Sequence, residues 1–228
     1  MRSILFIIFA LAISFLSGCG SEENISSSPD PSKPSNGEVI DRHGQVENME
    51  RLDTFVENVQ ASSKDKIRLI RYTIEGDPIF HDLDFDGSSL TLTHDSTEDQ
   101  YGSGEVTSYD CKSISKQESD TETKYMLEGC SNENLSELLY ISHNVEQEDY
   151  FAFELKYGEK KENEIDTKEQ VHTKQLQNGE TMTVSDFQLS TGQMNRIYKE
   201  MVYANYLQPK SLSTSCNKKS SESYELNV

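Results

Sequence analysis

The sequence predicts an α+β protein: two small units, each an amphipathic helix packed on an antiparallel sheet, following a disordered tether. Three observations predict this. Two segments, near residues 45–60 and 190–207, place apolar side chains three or four residues apart. Several shorter segments alternate apolar and polar residues and are separated by Gly, Asp and Pro turns. A stretch after residue 19, rich in Ser, Pro, Asn and Glu, has neither period.

The chain starts MRSILFIIFALAISFLSGCGSEEN, with one basic residue, an apolar run from Ile4 to Leu16, then small residues and Cys19. Residues 1–18 therefore read as an export signal. The run falls short of the roughly 20 residues that a spanning helix needs. Leu16, Ser17, Gly18 and Cys19 resemble the lipobox of bacterial lipoproteins, in which the cysteine thiol receives a diacylglycerol and the chain is cut just before it. The resemblance implies lipidation of Cys19, with the membrane as a partner and the extracytoplasmic face of the cell membrane as the location. Two acyl chains would give stable attachment, where one gives marginal binding.

Residues 19–43 are expected to be the acylated cysteine and a flexible tether; GSEENISSSPDPSKPSNGEV holds three of the five prolines, which favour extended backbone. The first domain is expected over 44–157. Val46, Met49, Leu52, Val56 and Val59, with Phe55 beside them, predict a helix over Gln45–Gln60. DKIRLIRYTIEGDP then reads as a strand that turns at Gly76, Asp77 and Pro78. The nearly all-polar run 158–170, GEKKENEIDTKEQ, reads as a linker or exposed loop. Residues 171–228 are expected to form a second α+β unit, whose completeness the sequence leaves open. Ser190 and Gln193 suit a capping box that opens a helix through Met194, Ile197, Tyr198, Met201 and Val202. SESYELNV closes as a strand.

The net charge of -19 opposes contact with phosphates, so no nucleic-acid partner is expected. Cys111, Cys130 and Cys216 accompany Cys19 in a chain addressed to a compartment where disulfides persist. A hairpin turn centred on Asp120 and Thr121 sets Cys111 opposite Cys130 and Ile114 opposite Leu127, which predicts a Cys111–Cys130 disulfide. Cys216 is then left without a partner.

HDLDFDGSSLTLTH places Asp82, Asp84, Asp86 and Gly87 at the spacing that opens a calcium loop. The loop fails further on, where Thr93 stands at the twelfth position and Ser89 at the eighth. Leu83, Phe85, Leu90 and Leu92 instead alternate strictly, which predicts a hairpin turning at Asp86 and Gly87: a four-residue loop, Asp86–Ser89, sets Phe85 facing Leu90, Leu83 facing Leu92 and His81 facing His94, and a two-residue loop shifts the partners by two and keeps the faces. Asp82 and Asp84 would lie solvated on the outer face. As metal candidates, Asp82, Asp84 and Asp86 could hold calcium only loosely, and the two histidines are too few ligands for a transition-metal site.

The sequence has no G-x-S-x-G elbow, H-E-x-x-H pair, P-loop or dinucleotide fingerprint, so no catalytic residue and no cofactor is predicted. RLDTFVENV, DKIRLIRYTIEGDPIFHDLDFDG and YGSGEV, within Met49–Cys130, resemble an uncharacterised family of lipoprotein domains of spore-forming Gram-positive bacteria. The resemblance implies a surface lipoprotein and brings no activity with it; the second half lies outside it. The expectation is a lipid-anchored extracytoplasmic lipoprotein with a non-catalytic binding or structural role at the envelope, its partner an envelope protein or a small ligand. The alternatives are an envelope hydrolase whose site is assembled from distant residues, or weak calcium binding through the Asp82, Asp84 and Asp86 hairpin.

Overall fold

A computed structural model describes residues 37–148, 150–208 and 223–228. The export signal, the lipobox with Cys19, the tether up to residue 36 and Cys216 lie outside the described residues. No helix among the described residues is long and apolar enough to cross a membrane.

Order begins earlier than the tether reading allows. Glu38–Arg42 forms β1 and Gln45–Glu47 forms β2, with Val39, Ile40 and Val46 buried. His43 and Gly44 join them at φ 56° and 88°, both positive, as a tight two-residue hairpin turn requires. The helix α1 therefore starts at Met49 and runs to Gln60, not at Gln45: Val46 belongs to a strand whose apolar phase happens to continue the helical stripe. Leu52, Phe55, Val56 and Val59 form the buried face of α1.

β3 (Asp65–Tyr72), β4 (Pro78–Phe85), β5 (Leu90–Asp95) and β6 (Val106–Cys111) complete a six-stranded sheet of order β2-β1-β3-β4-β5-β6. All its pairs are antiparallel except β1 with β3, where Val39 faces Leu69 and Ile40 faces Ile70. That parallel pair exists because β2 and α1 intervene and return the chain in the same direction. Phe85 pairs with Leu90, Leu83 with Leu92 and His81 with His94, the register of a four-residue turn. Gly87 has φ 98°, and a Cβ there would stand 3.3 Å from the Ser62 carbonyl oxygen, so the turn favours glycine on both counts.

β7 (Ser113–Glu118), β8 (Glu122–Glu128) and β9 (Glu137–Ser142) form a second, three-stranded sheet. Ile114 pairs with Leu127, and Cys111 and Cys130 are joined as a disulfide. Cys111 ends β6, where it pairs with Leu90, so the bridge ties the edge of the first sheet to the far end of the β7–β8 hairpin. Helix α1 packs against β1 and β3 of one sheet and β7 of the other. The main buried cluster runs from Val39 to Ile141 and takes its side chains from α1 and both sheets.

The remaining strands, β10 (Glu154–Gly158), β11 (Asn163–Asp166), β12 (Val171–Gln175), β13 (Thr181–Ser185) and β14 (Ser223–Asn227), form a third sheet of order β13-β12-β11-β10-β14. The run 158–170 thus carries a paired strand where the sequence suggests a linker; its charged residues alternate with Ile165, which is enough to seat it between β10 and β12. Leu226, Leu155, Ile165, His172 and Val184 stand directly opposite one another across all five strands. Even so, none of the strand residues is fully buried.

The helix α2 (Thr191–Tyr203) carries the Ser190–Gln193 capping box. Its polar anchors run to the first two sheets and to the segment after β9, and the one-helix-per-sheet layout is not confirmed. Asn195 Oδ1 accepts from the Val145 amide at 3.0 Å, Asn205 Nδ2 donates to the Val46 carbonyl at 2.8 Å, and Lys199 pairs with Glu118. The α+β class with largely antiparallel sheets holds, but both helices lean on the first two sheets.

A tyrosine-lined candidate binding cavity

The predicted metal candidates are engaged within the protein. Arg68 donates to Asp82 through two nitrogens, at 2.6 and 2.7 Å, and Lys66 pairs with Asp84 at 2.6 Å. These are exposed ion pairs of modest worth, yet they correct the expectation that both carboxylates are merely solvated. Asp86 Oδ1 accepts from the Ser88 amide and hydroxyl and from the Ser89 amide, at 2.8 to 2.9 Å. Those amides hold its carboxyl below the usual range, and they make it a turn former. Strands flank the loop, not the helices of a calcium hand. His81 and His94 do meet, ring nitrogen to ring nitrogen at 3.2 Å. Their hydrogen bond engages the lone pair of one ring nitrogen and the proton of the other, and a shared metal would need both nitrogens as lone-pair donors.

Glu154, Glu164 and Asp166 bring carboxylate oxygens within 4.8 Å of one another on the third sheet. Lys156 stands among them, 2.7 Å from Glu154 and 3.7 Å from Glu164. Its ammonium, then Asn227 and Glu164, draw Glu154 down to about 2, while the hydrogen bond to Glu154 pushes Glu164 up. The group is a lysine-bridged carboxyl pair, already supplied with a cation.

The nearest approach to a nucleophile and base is Thr123 Oγ1, 3.2 Å from His143 Nε2 and 2.5 Å from the Tyr203 hydroxyl. Both Thr123 and His143 are 0% exposed. Burial holds the imidazole's pKa down. The trio fastens α2 to β8; no substrate reaches it.

The structure does bring together a set of residues that sequence spacing could not relate. A cavity of about 410 Å³ lies between the β1–β2 turn, β9, the segment after it and the end of α2. His43, Gln45, Tyr140, Glu148, Tyr198 and Asn205 border it, with Tyr206 and Leu207 at the end nearest the third sheet. Tyr198 is read from the sequence as helix core, and it is buried, its ring tilted against Phe151 at 4.7 Å and edge-on to Tyr206 at 6.3 Å. Burial, then the neighbouring Glu148 carboxylate, push its phenol upward.

Asn205 shapes the wall. It follows α2 with φ 48°, a conformation Asn tolerates better than most residues. Its amide nitrogen is fixed on Val46, which orients the group and leaves Oδ1 buried with no hydrogen-bond partner. A buried acceptor left unmatched costs about 1–3 kcal/mol. Of the lining residues, sequence reasoning singled out only Gln45, as the start of the first helix, and Tyr198 and Val202, as helix core. Tyr140, Glu148, Asn205 and Tyr206 carry no local signature, since each becomes a wall only through the docking of α2.

A domain of unknown function, DUF4362, is found at residues 36–126. The match ends inside β8, ahead of Leu138, Leu139 and Ile141, which close the same buried cluster. No curated protein matches the chain, and no solved structure matches it.

Proposed function

We propose that the chain is a lipid-anchored extracytoplasmic lipoprotein whose role is to bind, not to catalyse, and that the cavity between the β1–β2 turn, β9 and α2 receives the ligand. The observation that carries the binding role is the cavity of about 410 Å³ itself, whose wall His43, Gln45, Tyr140, Glu148 and Tyr198 assemble from elements far apart in the sequence. The anchoring half of the proposal rests on the apolar leader and on Leu16–Cys19. The Cys111–Cys130 bridge supports it, because disulfides persist outside the reducing cytosol.

Two measurements test the two halves separately. Expressed in a bacterial host, the chain should fractionate with membranes, and Cys19→Ala should release it; membrane retention of that variant would remove the anchor. For the cavity, thermal-shift screening of the purified chain against amines, sugars and short peptides should yield a saturable stabilisation that Gln45→Trp abolishes by filling the space. Stabilisation that survives Gln45→Trp would place binding elsewhere.

A further inference from the structure

We infer that the third sheet docks a second copy of this chain through its apolar face. The five strands are patterned for burial on one side only. Leu226, Leu155, Ile165, His172 and Val184 form a row across the sheet, and Tyr157 and Met182 share their face. Glu154, Glu164, Asp166 and Glu225, all the carboxylates of these strands, stand on the other. An antiparallel sheet that alternates in this way packs its apolar side on a core. Here that side stays open: Val184 is 40% exposed, Met182 44% and Leu226 50%. Phe187 reaches the His172 ring at 5.2 Å. Helix α2 stands off, leaving beside Leu226 a cleft of about 600 Å³ bordered by Ile197 and Met201.

Charge, and what the chain itself can offer as cover, select the occupant. Copies that each carry a net charge of -19 repel one another over most of their surfaces. The apolar face has no carboxylate among its strand residues and carries Lys174, so it is where two copies meet with least repulsion. Arg196 and Glu200, both at the cleft, offset each other. A basic partner would instead be drawn to the carboxylate side. The leader aside, the segments outside the described residues supply little cover: 19–36 holds Ile25, and 209–222 holds Leu212, as its single branched aliphatic side chain. Strands about 4.8 Å apart and about 16 Å long give five of them a footprint of about 400 Å², against roughly 800 Å² per partner in a standard interface. That is the scale of a weak dimer, two sheets packed face to face with their apolar side chains interdigitated.

Sedimentation velocity of the full chain in a neutral detergent, from micromolar to millimolar concentration, tests the inference. A reversible monomer–dimer equilibrium is expected. Met182→Glu and Val184→Glu each place a carboxylate on the apolar face at an exposed position and should weaken the dimer at least tenfold. Thr183→Glu, between them on the opposite face of β13, makes the same charge change and should leave the dimer intact. Circular dichroism of all three at low concentration separates lost association from lost fold; should a glutamate variant not fold, Met182→Ser carries the test, with a several-fold weakening expected. A monomer throughout the range overturns the inference, whether a different protein or residues of the same chain then cover the face. So does a dimer that survives both Met182→Glu and Val184→Glu, or one that Thr183→Glu weakens as much, since association then runs through the leader or another surface.

Discussion

Tyr125 shows what one buried polar group demands. Its ring is fully buried, and its hydroxyl donates to Asp53 at 2.6 Å, where Lys116 also sits at 3.0 Å. This trio joins α1 to β7 and β8 through a satisfied network inside an apolar core, an arrangement that specifies which faces meet. His81 presents the opposite case. Burial, then the charges of Arg71 and His94, hold its pKa down to about 4, whereas an unfolded histidine titrates near 6.5. Between those values the unfolded chain binds the extra proton, so stability is complete above about pH 6.5 and falls as the pH drops toward 4, by about 3 kcal/mol in all. Denaturant melts of wild type and His81→Leu across pH 4–7 should show that slope in the first and a flatter one in the second; equal slopes would mean that His81 titrates normally. At this scale the sequence was informative about pairing and silent about partners. The His81–His94 contact follows from a two-residue alternation around one turn, while the Arg68–Asp82 and Lys66–Asp84 pairs depend on β3 lying beside β4.

Among elements, those with a strong period or a strong turn were legible. Helix α2 was visible from its cap and stripe, and the β4–β5 and β7–β8 hairpins from their turn residues. β1 was not, because a two-residue apolar centre, Val39 and Ile40, follows a polar stretch and becomes a strand only by pairing with β3. β11 was hidden for a similar reason: four residues with one apolar side chain acquire order from neighbours on both sides. Where the bridge between Cys111 and Cys130 leads was also hidden, since its role in tying two sheets depends on β6 pairing with β5. With a sequence separation of 19 between the cysteines, the chain-entropy model gives about 3 kcal/mol of stabilisation. Cys111→Ser with Cys130→Ser should accordingly lower the melting temperature by several degrees, measured by calorimetry; an unchanged melt would mean that the interleaved strands already restrict the unfolded chain.

For the molecule as a whole, apolar material is concentrated toward the first part. The large buried cluster is complete by Ile141, and beyond it Phe153, Tyr198 and Met201 are the buried apolar side chains among the described residues. The third sheet is thus held by strand pairing and by small contacts more than by a core of its own, and its outer strand β13 is exposed at every position. Amide hydrogen exchange should reflect the contrast: Thr181–Ser185 exchanging orders of magnitude faster than Ile67–Ile70. Comparable protection would show that the open strand is covered in solution. The same distribution explains why the candidate cavity was not legible. It forms where α2 crosses back onto β2 and β9, more than fifty residues away in sequence, and no local pattern records that return.

The tyrosines around the cavity have an optical consequence. The chain contains no tryptophan and eleven tyrosines, so its ultraviolet emission is tyrosine emission alone, and three of the emitters border a single space. Anything seated there alters the light that the unlabelled protein gives back. A tryptophan introduced at one chosen site would be the sole acceptor for that energy, turning the native rings into a ruler of how near the occupant brings them.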